Sequence, residues 1–223
     1  MALDYTEKVI ELFRNPKNVG ELDVFDVEVK EGSPACGDLL QLQLKIDQNS
    51  KIIDDIKFKS FGCASNIATA SIVTEMAKGK NIDEAEKISW QDATKELGGL
   101  PNVKVHCSVL AVDALKLAIE KYKIKEGLLK IDEKAITKDF ILSKLSHVID
   151  PARGTDIVRL KYVLYVGVEP SKEDSKKVDV LIQLSHPQDL DYEENIKEEI
   201  LEKLEYIPNI QAIKIEFLTH SIN

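Results

Sequence analysis

Apolar and polar side chains alternate from Val24 to Ser60 in the runs VFDVEVKEG, LLQLQLKID and IIDDIKFKSF, which are separated by the turn-forming stretches GSPACGD and QNSK. Side chains on a strand point alternately to its two faces, so this period leaves one face for a core and one for solvent. Short turns joining such runs predict a three-stranded antiparallel meander. The apolar face of that sheet needs a partner. The run ASNIATASIVTEMAKG after Gly62 supplies one: Ile67, Ile72, Val73 and Met76 recur at helical spacing, small residues between them allow close packing, and Gly79 ends the pattern.

A further amphipathic helix is expected ahead of the sheet. Asp4 and Glu7 form a capping-box-like start, Val9, Ile10, Leu12 and Phe13 lie on its apolar side, and Pro16 and Gly20 stop it. Short helical stretches follow at IDEAEKI and WQDATKEL, then a break at GGLPNVKV, then a long helix starting near His106. The charged stretch KIKEGLLKIDEKA carries no period and reads as an interdomain connection. Beyond it ITKDFILSKLSHVID is a helix, DIVRLKYVLYVGVE and KVDVLIQLSH are strands, YEENIKEEILEKLEYI is a helix and IQAIKIEFLTH a last strand. The predicted class is α+β: a three-stranded antiparallel sheet packed with helices in residues 1–125, a linker over 126–133, and a small α-β-β-α-β domain in 134–223.

Hydrophobic residues make up 43% and charged residues 31% of the 223, a balance that builds cores rather than a disordered chain. The formal charge of -9 repels phosphate backbones, and no Lys/Arg cluster interleaved with aromatics reverses it locally, so nucleic acid is not an expected partner. Acids within MALDYTEKVIELF argue against an export signal, and no run approaches the roughly 20 apolar residues of a membrane span. The expected location is the cytoplasm.

Three cysteines, an odd number, do not make a disulfide framework. A lone free cysteine is usually a small buried hydrophobe. These three instead sit at junctions between elements, where side chains can converge: Cys36 in SPACGD, Cys63 in FGCAS, Cys107 in VHCS. Gly37 and Gly62 adjoin two of them and permit close approach of the backbone or an unusual conformation. The start of a helix favours a thiolate, so Cys63 and Cys107 are both expected to have lowered pKa values. His106 adds an imidazole and Asp38 a hard oxygen, while Lys104 is spaced to pair with Asp38 when no metal is bound. Such a donor set suits tetrahedral zinc or an iron-sulfur cluster with one non-thiolate ligand, and the carboxylate should loosen the hold on a cluster and so permit transfer.

The stretches DYTEKVIELFRNPKNVG, SPACGD, KFKSFGCASNIATAS and LPNVKVHCSVLAVDA follow, in order and at compatible spacing, the motifs of the IscU/NifU-type iron-sulfur scaffolds, and this part of the chain resembles that family over about residues 4–123. The resemblance implies that Cys36, Asp38, Cys63, His106 and Cys107 form an assembly site, with Lys104 accessory. It further implies that iron binds first, that a cysteine desulfurase delivers persulfide sulfur with Cys107 as receiver, and that a ferredoxin-type reductant completes a [2Fe-2S] cluster passed to acceptor proteins. Zinc can take the empty site, and a homodimer is compatible with the pattern. An Hsp70-type chaperone recognises LPPVK in many members; Asn102 stands here in place of the second proline, which weakens the case for that partner. The family's ferredoxin-like and CxxC extensions are absent from this sequence, so one cluster site is expected.

The run LSHVIDPARGTDIVRLKYV with IPNIQAIKIEF resembles the domain of SufT-like and cytosolic iron-sulfur targeting proteins over about residues 134–219. That family commonly places a cysteine before a proline where this chain reads LSHPQDLDYEEN, so an adaptor or dimerisation role is expected rather than a second reactive site. Asp150 and His186 are the polar residues that stand out there. Two rival readings of the cysteine site are a structural zinc protein and a zinc-dependent hydrolase. Neither an HExxH-type pair nor a separate general base accompanies the site, and thiolates lower the Lewis acidity of zinc, so the scaffold, a carrier rather than an enzyme, is preferred.

Overall fold

The structure, a computed structural model, describes residues 5–33, 38–101, 104–150, 153, 155–174, 177–185 and 190–218. The chain divides into two compact units, Met1–Lys123 and Ile124–Asn223. In the first, helix α1 (Glu7–Arg14) precedes strands β1 (Val27–Ser33), β2 (Asp38–Ile46) and β3 (Ile53–Phe61). Helices α2 (Ala64–Ala77), α3 (Ile82–Ala85), α4 (Trp90–Glu96) and α5 (Val105–Lys125) follow.

The sheet is the expected antiparallel meander in the order β1-β2-β3. Val27 and Val29, Leu40, Leu42, Leu44 and Ile46, and Ile53, Ile56 and Phe58 are all buried. Two details depart from strict alternation. The first strand begins at Val27, leaving Val24 and Phe25 exposed. In β3 the buried pair Ile53 and Ile56 is spaced by three, which a period of two cannot bury on one face. A register shift between Lys45 and Ile46 absorbs the extra residue, so that Ile53 meets Ile46 while Ile56 meets Leu44.

Thr6, rather than Asp4, caps α1: its Oγ1 accepts the Val9 N–H at 3.2 Å and donates to the Leu97 carbonyl at 2.5 Å. Asp4 lies outside the described residues. Val9 and Leu12 are buried, but Ile10 and Phe13 are exposed, a narrower stripe than the sequence suggests.

Helix α2 packs against α1, α4 and β3 and is enclosed almost all round, so its buried side is not the predicted stripe. Ile67 and Met76 are only half-buried, whereas Ala68, Ala70, Ser71, Thr69 and Thr74 are inside. Small side chains let the neighbouring elements approach from several directions, and the buried hydroxyls find partners nearby. Thr69 donates to the Ser65 carbonyl at 2.6 Å and Thr74 to the Ser71 carbonyl at 2.8 Å. Lys17 N–H and the Asn18 amide then donate to the Ser71 and Thr74 hydroxyls at 2.7 and 3.1 Å, which fastens the segment after α1 to α2.

The second unit contains helix α6 (Lys138–Leu145), the short strands β4 (Ile149–Asp150) and β5 (Thr155–Asp156), strands β6 (Val163–Pro170) and β7 (Val178–Ser185), helix α7 (Leu190–Leu204) and strand β8 (Ile210–Leu218). β6 and β7 are antiparallel, while β8 lies parallel to β7 after a crossover through α7, as a parallel neighbour requires. Along β7 Val178, Val180, Ile182 and Leu184 are buried and alternate with half-exposed residues, and they join Ile141, Leu145, Ile196, Ile200 and Leu204 in one core. The strand predicted from Asp156 starts only at Val163. Residues before it are used in the β4–β5 pair and in a turn closed by Tyr162 N–H on the Ile157 carbonyl at 3.0 Å.

Candidate metal centre

Strand register brings the first donors together. Leu39 of β2 pairs with Phe61 of β3, so Asp38 at the start of β2 faces the Gly62–Cys63 step that leads from β3 into α2. The Cys63 N–H donates to Asp38 Oδ1 at 3.0 Å, and Cys63 occupies the N-cap of α2. The start of α5 adds His106 and Cys107. His106 Nε2 lies 3.3 Å from Asp38 Oδ2 and 3.5 Å from Cys107 Sγ. Cys107 Sγ is 3.8 Å from Asp38 Oδ2 and 3.7 Å from Cys63 Sγ. Cys36 lies outside the described residues, as do Gly37, Asn102 and His186.

These separations can be tested against a metal. Ligand atoms held at about 2.0–2.3 Å around a tetrahedral ion are themselves roughly 3.3–3.8 Å apart. The sulfur–sulfur, sulfur–nitrogen, sulfur–oxygen and nitrogen–oxygen distances above all fall in that range. Asp38, His106 and Cys107 bring their ligand atoms within 4.8 Å of one another, and Cys63 joins through its contact with Cys107. One thiol, a carboxylate and an imidazole therefore already have the spacing of one coordination sphere, and the Cys63 thiol touches it at the Cys107 sulfur. The imidazole is the exposed member, with 58% of its side chain accessible against 17% for Asp38, so the site opens on the His106 side.

The two sulfurs share a proton unequally. Cys63 is lowered to about 5, chiefly because Cys107 donates a hydrogen bond to its thiolate, with help from the Asn66 backbone N–H and Lys104 and against desolvation and Asp38. Cys107 moves the other way, held protonated by the same bond, by its burial and by the charges of Cys63 and Asp38. A lowered pKa for both helix-start cysteines is thus corrected: adjacent thiols cannot both ionise cheaply, and the more buried one keeps the proton. Lys104 is corrected as well. Its ammonium is stabilised first by the Cys63 thiolate, then by Cys107 and Tyr5, whereas Asp38 is engaged by Cys63 N–H and faces His106.

Gly62 is explained by contact rather than by conformation. A Cβ there would lie 2.3 Å from Asp38 Oδ1 and 2.6 Å from Asn66 Nδ2, yet its φ is not in the left-handed region. Asn66 is the residue that motif reading overlooked. It lies one turn after Cys63, is wholly buried, and neither amide atom has a hydrogen-bond partner. The signal was an amide in a run of otherwise small residues directly after the cysteine.

In the second unit Asp150 is 2% exposed and is occupied by the fold. It accepts Arg153 N–H at 2.6 Å and the Tyr192 hydroxyl, which ties the end of β4 to α7.

The fold and the donors together define a small α+β domain that gathers thiol, carboxylate and imidazole donors where a sheet meets two helix starts. The NifU-like N-terminal domain profile matches residues 4–128, more than half of the sequence, and the chain belongs to that family. Among its relatives, the iron-sulfur cluster assembly enzyme IscU of Drosophila melanogaster is 54% identical over 125 residues, covering 55% of this chain and 80% of that protein. The iron-sulfur cluster assembly scaffold protein IscU of Haemophilus influenzae is 53% identical over 126 residues, covering 55% of this chain and 98% of that one. IscU 1 of Archaeoglobus fulgidus, also called an iron-sulfur cluster assembly scaffold protein, is 48% identical over 136 residues, 60% of this chain and 88% of that protein.

Proposed function

We propose that this chain is a non-catalytic scaffold and carrier on which a [2Fe-2S] cluster is assembled and from which it is passed to acceptor proteins in the cytoplasm. The observation that carries the reading is the trio of Asp38, His106 and Cys107 donor atoms at 3.3–3.8 Å from one another, with Cys63 Sγ 3.7 Å from Cys107 Sγ, in a chain whose relatives bear the name of assembly scaffolds. Cys36, two residues before Asp38 in the sequence, is the third thiolate of the proposed ligand set.

Iron and sulfur are here cargo. A desulfurase persulfide supplies sulfur when an attacking thiolate forms a bond to its terminal sulfur, breaks the old sulfur–sulfur bond and releases the desulfurase thiolate. If Cys107 is the receiver, it must first give up its proton, and the bases within reach are the Cys63 thiolate at 3.7 Å and His106 Nε2 at 3.5 Å. A ferredoxin-type reductant supplies the electrons that convert persulfide sulfur to sulfide. Asp38 contributes an oxygen donor, a harder and weaker ligand for a cluster than a fourth thiolate, which favours release.

The spacing also favours a second reading, because it suits a single Zn2+ equally well, either as a structural ion or as an occupant of the empty scaffold site. Anaerobic incubation with Fe2+, cysteine and a desulfurase separates the two. Visible iron-sulfur absorption is expected in the wild type and a large loss in Cys36→Ala, Cys63→Ala and Cys107→Ala; normal, transferable clusters in all three variants would overturn the scaffold.

A further inference from the structure

The Asn66 carboxamide is wholly buried, without a partner for either polar atom, and one turn from a proposed ligand. A buried amide left unpaired is unfavourable, and native interiors pair the large majority of such groups. Its Nδ2 and Asp38 Oδ1 lie 2.6 and 2.3 Å from the one point that a Cβ on Gly62 would fill. The missing Cβ therefore leaves a direct path between amide and carboxylate. A carboxylate only accepts hydrogen bonds, so the NH2 end of the amide is the complementary group.

We propose that Asn66 is a positioning residue for Asp38: it donates a hydrogen bond to Asp38 Oδ1 once Oδ2 turns onto a bound metal ion, and so holds the carboxylate in its ligating orientation. Oδ1 accepts the Cys63 N–H at 3.0 Å while Oδ2 faces His106 and Cys107. Cys107 Sγ and His106 Nε2 would hold a metal beside Oδ2, and turning Oδ2 onto it would pivot the carboxylate. A free lone pair on Oδ1 then meets the amide through the space beside Gly62. Ligating carboxylates depend on such outer donors, and losing one typically lowers metal affinity about 10–100-fold.

This inference rests on the reading of the site as a metal-binding scaffold, and its test uses Co2+ alone, with no cluster. The full-length metal-free protein is titrated with Co2+ while the thiolate-to-cobalt charge-transfer and d–d bands are followed. Asn66→Leu keeps the volume and removes the unpaired amide, so it should unfold at the same or a higher denaturant concentration than wild type. It should nevertheless bind Co2+ about 10-fold more weakly. In an Asp38→Ala background the same substitution should change affinity by less than about 2-fold, since its effect passes through the carboxylate. A purely structural Asn66 would lose stability and affinity together. Wild-type Co2+ affinity in Asn66→Leu, or a full loss persisting without Asp38, overturns the proposal. A wild type that binds Co2+ as described but takes up no iron and sulfide would instead remove the scaffold reading and leave the cobalt comparison intact.

Discussion

Gly62→Ala should damage the site through a single methyl group. The added Cβ would stand 2.3 Å from Asp38 Oδ1, a distance that real Cβ contacts essentially never show, so the carboxylate must retreat by roughly 1 Å to reach van der Waals separation. That stretches the 3.0 Å bond from Cys63 N–H beyond useful length. Hydrogen bonds to charged groups contribute about 1.5–3 kcal/mol, and Asp38 is only 17% exposed, so most of this should be felt. Against it stands a gain of about 0.4–1 kcal/mol from the stiffer unfolded chain, available because the φ of Gly62 is one that alanine can adopt. The expected net destabilisation is about 1–2 kcal/mol in urea unfolding of the metal-free protein, together with a loss of about 10-fold or more in Co2+ affinity. An unfolding midpoint that rises while Co2+ affinity stays at the wild-type value would refute the claim that the glycine exists to admit the carboxylate.

Cys63 should be alkylated by iodoacetamide far faster than Cys107 at about pH 7, with a half-maximal rate near pH 5; equal labelling by mass spectrometry of peptides would contradict the shared proton. Because the folded pKa of Cys63 lies below its unfolded value and that of Cys107 above, the pair should stabilise the metal-free fold increasingly as pH rises from about 5 towards 9 and progressively less above 9. Comparing wild type with a Cys63→Ala, Cys107→Ala double variant in denaturant titrations at several pH values measures this, and a flat difference would oppose it. Tyr192→Phe should cost the second unit about 1–3 kcal/mol, since it removes the hydroxyl that donates to the buried Asp150; unchanged protease resistance of residues 124–223 would show the bond to be idle. Ending the chain after Lys125 should spare cluster assembly and slow transfer to acceptors if the second unit couples assembly to delivery, and unchanged transfer would remove that role.

Most of the architecture is legible in one dimension because it follows from period. Alternation through β1, β2 and β3 forces an antiparallel sheet, and helical spacing in α5 forces an amphipathic helix. The exceptions have local causes. Ile53 and Ile56 break the period and are reconciled only by the irregularity opposite Lys45 and Ile46. The buried side of α2 differs from the apolar stripe because residues as small as Ala70 and Ser71 are buried by what surrounds them, which hydrophobicity does not encode.

For the site, the amino-acid sequence by itself determined which donors are available: cysteines at element junctions, an aspartate near one, a histidine beside another, and glycines adjoining two of them. Tertiary structure alone decided their relations. Register placed Asp38 against Gly62 and Cys63, so the carboxylate is engaged by a backbone N–H and Lys104 is left to the thiolate. Packing put the Cys63 and Cys107 sulfurs 3.7 Å apart, which makes one a thiolate and the other a thiol although both stand at helix starts. Burial left Asn66 unpaired beneath the carboxylate. Distances between side chains far apart in sequence set these charges and contacts, and no pattern along a single chain carries that information.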